Sequence, residues 1–193
     1  MTAALIIAVL LAGLSATFLG LIDAGRDIDG SLSRLEREAG TLHRTMTDAI
    51  NRSGPAEATN RPRNSLRKMI DTFGAASDRA IRESSTPYLD GIAQWLGRRM
   101  DLVPSIETVN KAFGDYLNQA KQAQADTRKS ESAATLAAHM LDLSAEQMVQ
   151  RIGDARDRTR QAVASAMNGL QLITFISIGI AALVIGLTPD QYS

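Results

Sequence analysis

Hydrophobic residues are concentrated at the two ends of the chain, and polar residues fill the middle. Residues 1–22 carry no charged side chain, and no charge occurs between Arg160 and Asp190. Because about 20 apolar residues cross a bilayer as a helix, this pattern predicts transmembrane helices at 1–22 and 170–188. A cleaved secretory signal is the alternative for the first segment, although no Lys or Arg precedes its apolar run.

The first apolar segment also has a small residue at every fourth position. This spacing puts the small residues on one helix face, which lets membrane helices approach closely. We therefore predict that this face packs against the second membrane helix or against a second copy of the chain. The face consists of Ala4, Ala8, Ala12, Ala16 and Gly20.

Residues 23–169 carry apolar positions at alternating spacings of three and four, which is typical of helices packed on narrow seams. Breakers at 53–62 and at Pro104 predict turns, and polar residues near 130 predict a third. Pro87 predicts either a kink in the second helix or its division into two helices. The predicted seam positions are Ile28, Leu32, Leu35, Ala39, Leu42, Met46, Ala49, Leu66, Ile70, Phe73, Ser77, Ala80 or Ile81, Tyr88, Ile92, Trp95 or Leu96, Met100, Ile106, Val109, Phe113, Leu117, Ala120, Leu141, Ala145, Met148, Ile152, Ala155, Thr159, Ala162 and Ala166.

The two apolar segments lie at the chain ends, so the region between them must begin and end at the same membrane surface. Only an even number of helices satisfies this condition. We predict an all-α fold, an antiparallel up-down-up-down four-helix bundle over residues 23–169 flanked by two transmembrane helices, with 189–193 as a truncated tail. Trp95 is predicted either near the membrane, where amphipathic aromatic side chains are favoured, or buried in the bundle.

Composition and motifs narrow the function classes. The 21 basic and 21 acidic side chains cancel, so no bulk charge favours nucleic acid, and we predict no nucleic-acid partner. The absence of cysteine excludes disulfides and cysteine-ligated metal sites. No catalytic or phosphate-binding motif is present, so we predict no enzyme activity, no cofactor and no metal site. His43 and His139, on different predicted helices, are interpreted as solvated or half-buried side chains.

Arginines on the first bundle helix are the candidate ligand-binding residues. Arg34, Arg37 and Arg44 lie on neighbouring faces of one predicted helix, and Arg67 on the second helix joins them if the distal ends align. Guanidinium groups bind carboxylate, nitrate or phosphate through paired hydrogen bonds. A solvated helix surface, with nearby Glu and Asp side chains as partners, is the alternative interpretation.

In its layout, the whole chain resembles the sensory portion of bacterial transmembrane receptors, namely chemoreceptors (methyl-accepting chemotaxis proteins) and sensor histidine kinases with a four-helix-bundle domain. The resemblance lies in the order of membrane helix, helical bundle and second membrane helix. Residues 39–44, Ala-Gly-Thr-Leu-His-Arg, are also similar to part of the first-helix ligand motif of nitrate/nitrite sensor kinases, offset by one residue. This similarity favours Arg44 as an anion contact.

The resemblance implies an extracytoplasmic sensor that detects a small ligand and signals across the membrane by helix displacement, with its linker and output domain absent. It also implies a multi-pass protein of the bacterial inner membrane, with a periplasmic bundle and a homodimer formed through helix 1 and transmembrane helix 1. The alternative is a membrane accessory subunit whose bundle docks on a larger assembly without any ligand. Arginines beside both spans on the bundle side favour a cytoplasmic bundle, although the positive-inside rule applies poorly to loops longer than about 60 residues.

Overall fold

The computed structural model describes residues 2–51, 59–85, 89–126 and 131–187. These residues form five helices and no strand, so the predicted all-α class is confirmed. The helices are α1 (Thr2–Asn51), α2 (Asn60–Glu83), α3 (Asp90–Arg99), α4 (Glu107–Asp126) and α5 (Glu131–Leu187).

The helix ends follow local chemistry closely. Pro62 lies in the first turn of α2, where its missing N–H has no intrahelical partner to lose. The helix therefore begins at Asn60, three residues before the predicted start, and the rest of the predicted 53–62 turn falls largely outside the described residues. The separation of α2 from α3 confirms two helices rather than one kinked helix around Pro87.

The turn predicted around Pro104 is closed by backbone hydrogen bonds. The N–H of Leu102 donates to the carbonyl of Gly97 at 2.9 Å, and the N–H of Asp101 donates to Arg98 at 3.2 Å. Asp101 adopts a φ of 55°, in the left-handed region that ends helices. The chain thus leaves α3 through a tight turn before α4 begins.

The chain divides into two compact units. Unit 1 contains Met1–Asp27, Ser77–Val103 and Arg160–Ser193, and unit 2 contains Ile28–Ala76 and Pro104–Thr159. Helices α1, α2 and α5 contribute to both units, whereas α3 belongs to unit 1 and α4 to unit 2. Both apolar chain ends belong to unit 1.

The core of unit 2 is built from the predicted heptad positions. On α1, Ile28, Leu32 and Leu35 are at most 2% exposed, and the seam continues through Ala39 and Leu42. Met46 and Ala49 lie half-buried near the end of α1. All the seam positions predicted for α5, from Leu141 to Ala166, are buried in their respective units. Tyr116 was not predicted in the core, yet it is the largest fully buried side chain of the described residues.

In unit 1, close helix contacts occur at glycines of α1 and α5. Gly169 lies against the ring of Phe18, where a Cβ would come within 2.6 Å of the ring, and Gly25 lies against the Val163 side chain. From Phe18 to Gly25 along α1, the contacted residue of α5 changes from Gly169 back to Val163, so α1 and α5 are antiparallel here. Gly20 faces the backbone of Ser84 so closely that a side chain would collide with its carbonyl oxygen.

The predicted seam of α3 is wrong at Ile92 and Trp95, whereas Leu96 and Met100 are half-buried and Tyr88 lies outside the described residues. Ile92 and Trp95 are 45% and 64% exposed, whereas Ala93 and Gly97 are buried. The physical reason is the short distance available, because a Cβ on Gly97 would lie 3.2 Å from Ile81 and 3.5 Å from Leu21. Only small residues allow α3 to approach its neighbours this closely, so its large apolar side chains face outward.

Helices α1 and α5 are both long and apolar enough to cross a membrane by length and composition. Their apolar ends leave large side chains uncovered, with Val9 and Leu10 of α1 and Leu172 and Phe175 of α5 all at least 61% exposed. Ala8, Ala12 and Ala16 of the predicted small-residue face are also exposed, whereas Gly20 is buried. Ala4 lies outside the described side chains, and a second copy as partner of this face stays a prediction.

Candidate functional site

The described part of unit 2 contains an open cavity with a strongly basic lining. It has a volume of about 370 Å³ and is formed by the end of α1, the start of α2 and the second half of α4. Three cationic side chains line it, Arg63, Arg67 and Lys121. The other lining residues are Met46, Thr59, Asn60, Asn64, Leu117, Ala120 and Gln124.

Among the described residues, the cavity lining contains amides and cations but no carboxylate. Arg67 has an acidic neighbour outside the cavity, with its Nε 3.9 Å from Asp71 Oδ2, and this contact is largely exposed. In the described part of the chain, neither Arg63 nor Lys121 forms an ion pair or a side-chain hydrogen bond.

Helix α2 supplies two of the three cations that line the cavity. Arg63 and Arg67 are separated by one helical turn, so they project from the same face of α2. The start of α2 also lies at the cavity, where the positive end of the helix dipole favours an anion. Lys121 reaches the cavity from α4 through tertiary packing. The cavity can thus hold a small oxyanion between two guanidinium groups and an ammonium group.

Of the four arginines predicted to bind a ligand, only Arg67 lines this cavity. Arg34, Arg37 and Arg44 are exposed on α1. Sequence reasoning missed Arg63 and Lys121. The spacing of Arg63 and Arg67 was a usable signal, but Lys121 carried none, because its approach depends on how α4 packs.

A second groove of about 420 Å³ lies between α4 and α5 in unit 2. It contains Lys111 and Arg151, but Asp115 also lines it. Arg151 is further engaged by Asp154 at 3.7 Å. The mixed charges make this groove a poorer anion site than the basic cavity.

A polar relay connects α1, α4 and α5 inside unit 2. The Tyr116 hydroxyl lies 3.5 Å from Nδ1 of His43, and Nε2 of His43 lies 3.3 Å from a carboxylate oxygen of Asp142. Burial, together with the negative charge of Asp142, raises the pKa of Tyr116 well above its ordinary value. The relay satisfies a buried phenol and links three helices. His139, the other histidine, is exposed.

Arg156 of α5 binds two carboxylates of α1. Its Nε donates to Asp29 at 2.9 Å, and a terminal nitrogen donates to Glu36 at 3.1 Å. The hydrogen bond to Asp29 raises the pKa of Arg156, so the side chain stays charged. Because Asp29 and Glu36 are seven residues apart on one face, a single guanidinium spans two turns of α1.

Among the described residues, no group of three or more His, Cys, Asp or Glu side chains has the arrangement of a metal site. No protein-family model, curated protein or solved structure matches the chain. The resemblance to receptor sensory regions therefore stays a prediction.

Proposed function

We propose that this chain is the membrane-anchored sensory region of a bacterial receptor, and that it detects a small anion and signals by helix displacement. The observation that carries the proposal is the continuity of α1 and α5. Each runs unbroken from an uncharged end, suited to a bilayer by length and composition, into the polar residues of unit 2. A continuous helix can carry a small shift along its axis, because its internal hydrogen bonds resist compression.

The basic cavity is the proposed ligand site. Its lining includes Met46 of α1 together with residues of α2 and α4, so an anion held there binds against a helix that continues to the apolar end. Binding can signal only if the anion prefers one packing of these helices over another. We infer that the anion draws the start of α2 and Lys121 of α4 together and thereby shifts α1 relative to α5.

Thermal unfolding of the full chain in detergent, with nitrate, sulfate, phosphate and small carboxylates as additives, tests the ligand site. We expect at least one anion to raise the unfolding temperature at constant ionic strength. Arg63→Gln, Arg67→Gln and Lys121→Gln should each weaken that effect, with an apparent affinity about ten-fold lower, because each removes a charge-assisted hydrogen bond.

Arg34→Gln, Arg37→Gln and Arg44→Gln are the matched controls, since they remove the same charge from exposed positions outside the cavity. We expect them to leave the anion effect unchanged. If instead these three variants abolish it and the cavity variants do not, the site lies on the face of α1 predicted from sequence. No anion effect at all would contradict the sensing proposal.

We further propose that the protein lies in the bacterial inner membrane as a multi-pass protein, with unit 2 on the periplasmic side as an antiparallel four-helix bundle. The arrangement as a homodimer through α1 belongs to the same proposal. Cross-linking of single cysteines placed at Ala8 or Ala12 tests the dimer, because the chain has no native cysteine. Disulfide dimers at these positions, but not at the buried Ala24, would support a paired α1.

A second candidate function is that of an accessory subunit that docks on a larger assembly. It is favoured by an exposed apolar row on α5, formed by Leu136, Met140 and Leu143, which are 65%, 41% and 41% exposed. Their spacing of four and three residues places them on one helix face. Replacing all three with Ser should release the protein from its assembly while leaving anion effects intact, and co-purification from native membranes would measure this.

A further inference from the structure

Helix α3 lies alongside the apolar part of α1 in unit 1. A Cβ on Gly13 would lie 3.8 Å from Leu89, one on Gly97 would lie 3.5 Å from Leu21, and one on Gly25 would lie 3.0 Å from Leu102. Positions 13, 21 and 25 of α1 thus meet positions 89, 97 and 102 in the same order. The two helices run in the same direction, nearly residue for residue.

This register gives the depth of each α3 residue relative to α1. Trp95 falls level with about position 19 of α1, which is roughly 6 Å toward the apolar end from Asp23 at 1.5 Å per residue. Arg98 and Arg99 fall level with Ile22 and Asp23, where the charge-free part of α1 ends. On α5, Val163 lies beside Gly25, so the last charge before the apolar end, Arg160, comes about one turn beyond this level.

The outward face of α3 has the composition of a helix that crosses from the acyl chains into the phosphate layer of a bilayer. Ala93 and Gly97 face the protein, while Ile92 and Trp95 are 45% and 64% exposed. Arg98 and Arg99 are exposed, and neither has an ion-pair partner among the described residues. Large apolar groups below and free arginines above match the acyl and phosphate layers of an interface.

Three polar side chains at or just before the start of α3, Ser84, Ser85 and Asp90, have hydrogen-bond partners within the protein. The Ser85 hydroxyl donates to a carboxylate oxygen of Asp90 at 2.5 Å, and the Ser84 hydroxyl donates to the carbonyl of Ala80 at 2.9 Å. Such pairing lowers the cost of placing these side chains near the hydrocarbon layer, because no water is there to satisfy them.

We propose that α3 stands beside α1 at the edge of the membrane and contacts anionic lipid, with Ile92 and Trp95 among the outer parts of the acyl chains and Arg98 and Arg99 bound to lipid phosphates. This inference rests on the proposed membrane anchoring through α1 and α5. It commits the exposed face of α3 to lipid, and a second copy of the chain on that face is an outcome that the test must exclude.

The chain has a single tryptophan, so Trp95 fluorescence reports on α3 without any labelling. The full chain is reconstituted in nanodiscs that contain lipids brominated either near the head group or near the end of the acyl chain. We expect blue-shifted emission and stronger quenching by the bromines near the head group. A double variant, Trp95→Phe with Leu10→Trp, moves the probe to an exposed side chain within the apolar part of α1.

The two probes separate the two proposals. Quenching of the probe at position 10 by the deep bromines, with no quenching of Trp95, would overturn the docking of α3 on lipid while membrane anchoring stands. That result would also be obtained if a second copy covered Trp95. Failure of both probes to be quenched would overturn the anchoring proposal as well. Stronger quenching of Trp95 by the deep bromines would contradict an interfacial position.

Lipid charge tests the role of the arginines. In nanodiscs with phosphatidylglycerol, acrylamide quenching of Trp95 should be at least about two-fold weaker than in phosphatidylcholine, because each arginine near an anionic surface favours the docked state. The double variant Arg98→Gln and Arg99→Gln should lose this difference. The control Arg34→Gln and Arg37→Gln removes the same charge from exposed positions in unit 2 and should keep it. Equal behaviour of the two double variants would overturn the phosphate contacts.

Discussion

At the scale of single residues, the Tyr116–His43–Asp142 relay shows how unit 2 accommodates a buried polar group. The phenol of Tyr116 is fully buried, and its only described polar neighbour is the ring of His43 at 3.5 Å. A neutral phenol tolerates this environment, whereas a phenolate would lack solvent and would face the charge of Asp142. The pKa of Tyr116 is raised because this environment favours the neutral phenol over the phenolate.

This raised pKa makes stability depend on pH in the alkaline range. The unfolded chain releases the Tyr116 proton above about pH 10, while the folded chain retains it. Stability from this group is therefore complete below pH 10 and falls as pH rises further, by up to about 1.4 kcal/mol per pH unit. We expect Tyr116→Phe to remove this part of the slope when the free energy of unfolding is measured by denaturant titration between pH 8 and 11. Identical slopes in the two proteins would contradict the assignment.

Arg156 offers a second residue-scale test, because it bridges Asp29 and Glu36 while only 27% of its side chain is exposed. We expect Arg156→Gln to lower the free energy of unfolding by about 1–2 kcal/mol, since it leaves two half-buried carboxylates without their cation. Arg151→Gln is the matched control on the same helix. Its contact with Asp154 is longer, at 3.7 Å, and more exposed, so we expect a change below about 0.5 kcal/mol. Equal losses of unfolding free energy in the two variants would contradict a stabilising role for the contacts of Arg156 with Asp29 and Glu36.

The lining of the basic cavity could be predicted from the sequence only in part. Arg67 was recognised as a cation near the distal end, and it does line the basic cavity. Arg34, Arg37 and Arg44 are the main candidates from the sequence, with Arg67 added only if the distal ends align, yet these three lie outside the cavity on exposed positions. Spacing within one helix assigns residues to a face, but only packing between helices determines which face meets another. Lys121 illustrates the point, because nothing in its local sequence distinguishes it from other exposed lysines.

At the scale of helices, apolar periodicity predicted the long elements well and failed on the short one. The heptad positions of α1 and α5 are buried because regular spacing produces a single apolar stripe over many turns. Helix α3 has ten residues, and two criteria compete there. Large residues suggested one face, while the small pair Ala93 and Gly97 marked the face that packs. In a helix near a membrane, small residues at a spacing of four are the better signal of contact.

Glycine contacts on α1 give a matched test at this scale. A Cβ at Gly20 would collide with the Ser84 carbonyl oxygen, whereas nothing lies within 4 Å of a Cβ at Gly30. We expect Gly20→Ala to cost about 1–3 kcal/mol, because backbone must move to make room. Gly30→Ala should stabilise the same helix by up to about 1 kcal/mol through its higher helix propensity. Thermal unfolding in detergent compares them, and stabilisation by both would show that α2 does not approach α1 at Gly20.

At the scale of the whole molecule, the sequence predicted the all-α class, whereas the two compact units follow from contacts between helices. The uncharged ends and the heptads between them suggested a break at residues 22 and 170. The predicted boundaries of the membrane spans stay a prediction. Contacts between helices divide the chain near Asp27 and Arg160, and they group the end of α2 and all of α3 with the apolar ends. The charge pattern could not reveal this, because α3 is polar enough to resemble a bundle helix. Its membership of unit 1 is visible only in its contacts with Leu21 and Gly25.

The orientation of unit 2 is the last whole-molecule property that the proposed function requires. The chain has no cysteine, so Lys68→Cys places a single reactive thiol on an exposed position of α2. We expect a membrane-impermeant maleimide to label it in intact cells, because the proposal assigns unit 2 to the periplasm. Leu10→Cys, which the proposal surrounds with lipid, should stay unlabelled before and after permeabilisation. The arginines near both apolar ends argue for the opposite orientation, but charge bias governs short loops, and about 130 residues separate these ends. Labelling of Lys68→Cys only after permeabilisation would put unit 2 in the cytoplasm, which removes the extracytoplasmic sensor and leaves the accessory subunit.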